Sequence, residues 1–192
     1  RAPQADKAEV LGWDAAGTVV AVGELVSLFK VGDPVFYAGA LNRPGANSEF
    51  HLVDERLVGA KPQNLSFADA AALPLTAITA WELLFDRLQL DLASPQFQQK
   101  VLLVSGAAGG VGSVLLQLAR QKTDAFIIGT ASRPESQAWV QQMGAHAVIN
   151  HQLPLAEELA RLGIKQVSHV VSLVDTAAYY DEFIAALAPQ GK

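Results

Sequence analysis

The run from Val101 to Arg120 constrains this chain more than any other stretch. Val101 to Ser105 is four aliphatic residues closed by a serine, the composition of a short strand covered on both faces. Gly106-Ala107-Ala108-Gly109-Gly110-Val111-Gly112 follows, and Val111, Val114, Leu115 and Leu118 then recur at helical spacing. A strand, a glycine-rich turn and a helix opening, in that order, let the backbone turn tightly and let an anion approach main-chain N–H groups at the positive end of a helix. The segment suits a dinucleotide pyrophosphate. The strict G-x-G-x-x-G pattern is not met, because Ala107 stands at the first glycine position, with Gly109 and Gly112 at the second and third. These residues alone leave open a purely structural turn or another nucleotide-like ligand. Residues 101–119 also carry no charge over nearly the length of a membrane helix, but four glycines, two serines and a glutamine argue against that use.

With 192 residues and 51% hydrophobic content, the chain can bury one large core or two small ones. The net charge of -5 and a pI near 5.3 disfavour nonspecific binding to nucleic acid or an anionic membrane, and Lys and Arg form no basic run. The absence of cysteine excludes disulfides and thiolate metal sites within the chain and fits a reducing compartment, so a cytoplasmic location is expected. No secretory signal is legible at Arg1-Ala2-Pro3-Gln4. That start lacks a methionine, and Pro189-Gln190-Gly191-Lys192 announces a strand after the preceding helix that never arrives. The ends therefore read as cut from a longer protein.

Short β-like pieces are expected at Thr18–Val22, Pro34–Tyr37 and Ser48–Val53, with turns such as Val31-Gly32-Asp33-Pro34 between them. Ser66-Phe67-Ala68-Asp69 resembles a capping box, Pro74 interrupts the helix it opens, and a second helical pattern runs from Leu75 to Leu88. The polar stretch Leu92–Lys100 reads as a link. Beyond it, strands at Val101–Ser105, Ala125–Thr130, Ala147–Asn150 and Val167–Val174 alternate with helices at Val111–Lys122, Pro134–Met143, Leu155–Leu162 and Ala178–Leu187. Four such strand–helix pairs imply an α/β fold with a doubly wound parallel sheet.

In a sheet of that kind the end of the second strand sets the preference between nicotinamide dinucleotides, through an acid on the ribose hydroxyls or a base on a 2′-phosphate. Here Ile127-Ile128-Gly129-Thr130-Ala131 leads to Ser132 and Arg133, with no acid, so NADPH is the expected cofactor. The bland alternative for Arg133 is a solvated charge at a helix start. Glu135 reads as structural, favouring the helix dipole. His51, His146, His151 and His169 lack metal-ligand spacing, so no metal is expected. His151, opening the loop after the third strand, is placed to reach an adenosine phosphate or to stand as an ordinary loop histidine, while His146 and His169 read as half-exposed. Trp81, Phe85 and Leu88 sit at helical spacing and read as core.

Four segments, Leu11–Gly23, Phe29–Tyr37, Ala70–Trp81 and Gly106–Gly112, together and in this order resemble the medium-chain dehydrogenase/reductase superfamily, in particular its quinone oxidoreductase and zinc-type alcohol dehydrogenase-like branch. The resemblance covers nearly the whole chain. It implies part of a GroES-like, mostly β catalytic domain at 1–74, a Rossmann dinucleotide-binding domain at 75–192, and an active site in the cleft between them. It also implies that Ala108, Gly109, Gly110 and Val111 hold the cofactor, that Thr79 packs beside the nicotinamide, that Ser172, Leu173 and Thr176 approach its ribose, and that Tyr37 and Asn42 line the substrate cleft. The zinc enzymes of the family read Gly-His-Glu where this chain has Gly12-Trp13-Asp14, and no cysteine cluster lies between Tyr37 and Ser48. A zinc-free member is therefore expected.

The expected activity is hydride transfer from NADPH to a small quinone or α,β-unsaturated carbonyl, by a protein that is a homodimer at full length. Such an acceptor needs hydrogen-bond donors and no Lewis acid. Three other readings stay open: a zinc-type enzyme acting on alcohols or aldehydes, a nucleotide-binding scaffold or sensor without turnover, and, more remotely, a methyltransferase. Short-chain dehydrogenase chemistry is excluded, since Tyr179 and Tyr180 are followed at the fourth position by Phe183 and Ile184 and not by lysine.

Overall fold

The computed structural model describes residues 10–90 and 99–192, so the terminal residues 1–9 and most of the polar link expected at 92–100 lie outside the described residues. The chain divides into two compact units, Arg1–Thr76 and Ala77–Lys192.

In the first unit β1 (Asp14–Thr18) pairs antiparallel with β2 (Pro34–Ala38), which pairs with the short β3 (Gly59–Ala60). Alternation along β2 buries Val35 and Tyr37. At the turn before β2, Gly32 takes φ +96, a left-handed conformation that favours glycine, and its N–H donates to the Val19 carbonyl at 2.8 Å. Two expected strands come out differently. The first begins four residues early, at Asp14, because pairing with β2 overrides the weak β propensity of Ala15, Ala16 and Gly17. Ser48–Val53 is no strand: the Ser48 N–H turns back to Ala46 and its hydroxyl donates to the Phe50 carbonyl, a local bond that competes with a ladder.

Ser66 caps α1 (Phe67–Ala71) by accepting the Asp69 N–H at 3.1 Å. The Asp69 carboxylate accepts a hydrogen bond from the Ser66 hydroxyl at 2.6 Å instead of from a backbone N–H, so the capping box is half formed. Pro74 opens α2 (Pro74–Trp81), which continues as a π-helical turn at Glu82–Arg87, with the Leu88 N–H reaching back five residues to the Leu83 carbonyl. Of the three residues read as core there, Leu88 is buried and Phe85 partly so. Trp81 stays 48% exposed, its ring edge-on to Phe85 at 4.5 Å. The run Phe67–Arg87 is, by length and composition alone, apolar enough to cross a membrane. Within it, Ala80 and Leu84 are buried in the second unit's core.

The second unit carries β4 (Val101–Ser105), β5 (Phe126–Thr130), β6 (Ala147–Ile149) and β7 (His169–Ser172), all parallel, in the order β6-β5-β4-β7. After them come α3 (Gly110–Lys122), α4 (Pro134–Gln142), α5 (Leu155–Arg161) and α6 (Thr176–Ala186) respectively. Side-chain alternation sorts the helices. Leu102, Val104 and Ile127 pack with Leu115 and Leu116 of α3 and Val140 of α4, while Leu103, Ile128 and Ile149 pack with Leu155 and Leu159 of α5 and Phe183 of α6. The sheet is doubly wound, as expected. Beyond α6, Lys192 donates its N–H to the Ser168 carbonyl and accepts the Val170 N–H at 2.8 Å, so the chain there runs beside β7.

His169 departs from its expected half-exposed position. It is 4% exposed, its Nδ1 lies 2.8 Å from the Ser168 hydroxyl, and burial, then the charges of Lys192 and Lys100, push its pKa down to about 4. The native state therefore holds it neutral, whereas the unfolded chain protonates it near its ordinary value of 6.5. Below that value the unfolded state binds a proton that the folded state does not, so stability falls as pH drops from 6.5 toward 4 and this group contributes no further loss below that. At 1.36 kcal/mol per pKa unit, the expected loss is about 3 kcal/mol. Urea unfolding at pH 7 and pH 5 should show a smaller acid loss in His169→Asn than in the native protein; equal losses would refute the assignment.

Candidate dinucleotide site

All four parallel strands end at one edge of the sheet, and the candidate cofactor residues collect there. The chain builds outward from β4 to β5 and β6, then returns to place β7 on β4's other side, so the strand order reverses between β4 and β7. Ligands of doubly wound sheets bind in the crevice at such a reversal. The loops after β4 and β7 are packed together there. The Leu173 N–H donates to the Ser105 carbonyl at 3.1 Å, and a Cβ on Gly106 would lie 3.0 Å from the Val174 side chain and 3.2 Å from that of Leu173.

The glycines have separate causes. Gly106 takes φ +74, which starts the turn, and its N–H faces the Thr130 hydroxyl at 3.4 Å. Gly109 is the N-cap of α3 and no side chain caps the helix, so the N–H groups of Gly110, Val111 and Gly112 lack intrahelical partners. Ala108, Gly109 and Gly110 are exposed and Val111 is partly buried. A Cβ on Gly112 would stand 2.5 Å from the Ala107 carbonyl oxygen, so only glycine lets α3 start this close to the loop. Open N–H groups over a cradle that a Cβ would fill match the needs of a pyrophosphate. Ala107, in place of the first glycine of the pattern, is fully buried, so the departure costs nothing at the surface.

Ser132 and Arg133 follow β5. Arg133 is exposed and is the N-cap of α4, with Pro134 next and the acid Glu135 in the first turn. Gln137 props this turn by donating to the Ala131 carbonyl at 3.2 Å, and Trp139 on α4 donates its indole N–H to Ser113 of α3 at 2.8 Å. His151 lies one residue past Asn150 after β6. The buried Glu158 carboxylate organises that loop by accepting the Asn150 N–H at 2.7 Å, and its pKa is lowered first by hydrogen bonding from Arg161, then by that N–H. Ser172 ends β7, and its hydroxyl lies 2.8 Å from that of Thr176. Between them Asp175 adopts a left-handed φ of 30 and caps α6 by accepting the Ala178 N–H. Thr130, Glu158 and Asp175 were not singled out from the sequence. Of these only Asp175, a capping residue type three positions before the helix expected at Ala178–Leu187, carries a local signal.

Thr79 lies partly buried on α2, in the second unit. In the first unit, Tyr37 is buried on β2, and Asn42 is exposed in the turn where the Arg43 N–H donates to the Ala40 carbonyl. The Tyr37 hydroxyl lies 2.8 Å from His51 Nδ1, and burial pushes the phenol pKa up. Trp13, standing where the zinc enzymes have histidine, buries its indole N–H without a hydrogen-bond partner. Among the described residues no three His, Cys, Asp or Glu side chains gather as a metal site, so the donors present do not fit a zinc ion.

A GroES-like unit joined to a doubly wound dinucleotide-binding unit defines an alcohol dehydrogenase-type architecture. Residues 2–74 match the alcohol dehydrogenase GroES-like domain model, and residues 110–192 match the zinc-binding dehydrogenase model. A zinc-type alcohol dehydrogenase-like protein of Staphylococcus aureus is 41% identical over 182 residues, covering 95% of this chain and 54% of its own length. A crystal structure described as a zinc-dependent alcohol dehydrogenase protein of Rhizobium etli CFN 42 matches with 53% identity and a TM-score of 0.92, covering 100% of this chain and 56% of that one. Escherichia coli quinone oxidoreductase complexed with NADPH matches with 31% identity and a TM-score of 0.79, covering 99% and 56%. The chain belongs to the medium-chain dehydrogenase/reductase superfamily. It spans about half the length of the curated relatives it matches.

Proposed function

We propose that the protein is a cytoplasmic, homodimeric NADPH-dependent oxidoreductase that reduces a small quinone or α,β-unsaturated carbonyl without a catalytic zinc. The observation that carries this reading is the packed crossing of the glycine loop and the β7 loop, with Ser132 and Arg133 standing where an NAD-preferring site would place an acid. When bound, the dinucleotide supplies hydride. The N–H groups at Gly110–Gly112 hold its pyrophosphate, Ser132 and Arg133 its 2′-phosphate, His151 the adenosine end, and Ser172, Leu173 and Thr176 the nicotinamide ribose. Thr79 walls the nicotinamide, and Tyr37 and Asn42 take the substrate. The quinone oxidoreductase bound to NADPH supports the cofactor and acceptor assignments, and Trp13 weighs against the alcohol route through zinc.

A charge-assisted hydrogen bond contributes roughly 1.5–3 kcal/mol. Arg133→Ala should thus weaken NADPH by about ten- to a hundredfold and leave NADH nearly unchanged. Fluorescence titration reads both affinities, and equal losses would refute the 2′-phosphate assignment. Steady-state NADPH oxidation with a quinone separates an enzyme from a binding scaffold, which would hold NADPH and turn nothing over.

A further inference from the structure

Tyr37 does not stand alone. Its hydroxyl lies 2.8 Å from His51 Nδ1, the two rings lie within 13° of parallel at 5.7 Å, and His51 Nε2 lies 3.0 Å from the Pro44 carbonyl oxygen. A carbonyl only accepts, so Nε2 carries the ring's proton and Nδ1 offers a lone pair, into which the Tyr37 hydroxyl donates. Pro44 is itself held in place. The next residue, Gly45, donates its N–H to the Val10 carbonyl at 2.6 Å, and a Cβ there would meet the Leu11 carbonyl carbon at 2.2 Å, while the Ala46 and Asn47 N–H groups bond Gly12 and Leu11. The tautomer of His51 is thereby set by backbone packed two segments away.

That geometry gives Tyr37 two states. With His51 neutral, the phenol's proton is committed to Nδ1 and Tyr37 offers other groups only lone pairs. With His51 protonated, Nε2–H still faces Pro44, Nδ1–H donates to Tyr37 Oη, and the phenol's own O–H turns outward as a donor. We propose that His51 is a positioning residue that sets the hydrogen-bond sense of Tyr37 and reloads its proton. The inference rests on the proposed reduction of a conjugated carbonyl. Hydride arriving at the substrate β-carbon shifts the C=C electron pair to give an enolate. The Tyr37 O–H bond breaks as the enolate takes that proton at its α-carbon, and the Nδ1–H proton moves to Tyr37 Oη. Neutral phenol and neutral imidazole are restored, and solvent resupplies one proton per turnover. The raised phenol pKa keeps Tyr37 protonated between cycles. The charged groups on the segments that carry Pro44 and His51 are Arg43, Glu49 and Asp54. Asp54 is engaged by Arg56 at 2.6 Å.

The test uses full-length protein labelled with 13C at tyrosine Cζ, with Tyr37 assigned through Tyr37→Phe. On lowering the pH, the Tyr37 resonance of the native protein should move in step with protonation of His51. The same titration should vanish in His51→Asn, which keeps an acceptor near the phenol but cannot charge, and in His51→Phe. Enone turnover in His51→Asn should fall at least tenfold and lose its decline toward alkaline pH, because the relay needs His51 in its protonated form, with NADPH affinity unchanged within twofold. A native Tyr37 resonance that does not move, or that moves equally in both variants, overturns the relay. If the resonance behaves as expected but the native protein reduces no quinone or enone, the functional reading fails and the catalytic role of His51 fails with it. Turnover without the coupling overturns the relay alone.

Discussion

Replacing Gly112 with valine is expected to abolish measurable NADPH binding and to destabilise the second unit. A Cβ there stands 2.5 Å from the Ala107 carbonyl oxygen and 2.6 Å from that of Gly106, and both are backbone atoms that cannot swing aside. Overpacking of this kind costs roughly 1–3 kcal/mol, and relief requires α3 to move away from the loop, which withdraws the N–H groups of Gly110 and Val111 from any phosphate. Gly109 is the matched control, because a Cβ at that position would be 3.4 Å from the Gly106 oxygen and in ordinary contact. Gly109→Ala should therefore unfold near the native midpoint. If fluorescence titration of Gly112→Val gives a native NADPH affinity, the glycine loop is not the phosphate cradle.

The second large effect concerns Thr79. Hydride transfer needs the nicotinamide held flat with the acceptor carbon in near-attack range, so the wall behind the ring controls geometry more than affinity. In the proposed arrangement Thr79→Phe displaces the ring while the adenosine end stays gripped by Gly109, Gly110, Val111 and Arg133. Turnover of a quinone or enone should fall a hundredfold or more, with NADPH affinity within a few-fold of native. Retained turnover, or loss of cofactor binding altogether, would place the ring elsewhere.

The second unit was legible almost residue by residue, and the first was not. Strands such as Val101–Ser105 and Phe126–Thr130 are continuous apolar runs set between turn residues, and helices such as Gly110–Lys122 carry a 3.6 period, so local composition and global fold agree. In the first unit Asp14–Thr18 is alanine and glycine at its centre and becomes a strand only because β2 pairs with it. Ser48–Val53 alternates well enough for a strand, yet bonds to itself. His169 shows the same limit in a single side chain. Its identity promises a titrating imidazole at the surface, but Ser168, Lys100 and Lys192 surround it only after β7 and the chain end come together.

For the candidate site, the sequence determined the residue types and their order along the chain: the glycines after the first parallel strand, the serine and arginine after the second, and the absence of cysteine. These are properties of contiguous segments, and contiguity is what a sequence records. Tertiary structure decided which loops meet. Nothing local says that Gly106 lies against Leu173 and Val174, nearly seventy residues on, since that follows from the reversal of strand order between β4 and β7. Nor does spacing reveal that His51 faces Tyr37 with its far nitrogen on Pro44. That pairing depends on a loop folded back over Val10–Gly12 by backbone hydrogen bonds, which any sequence can donate and whose partners only the fold selects.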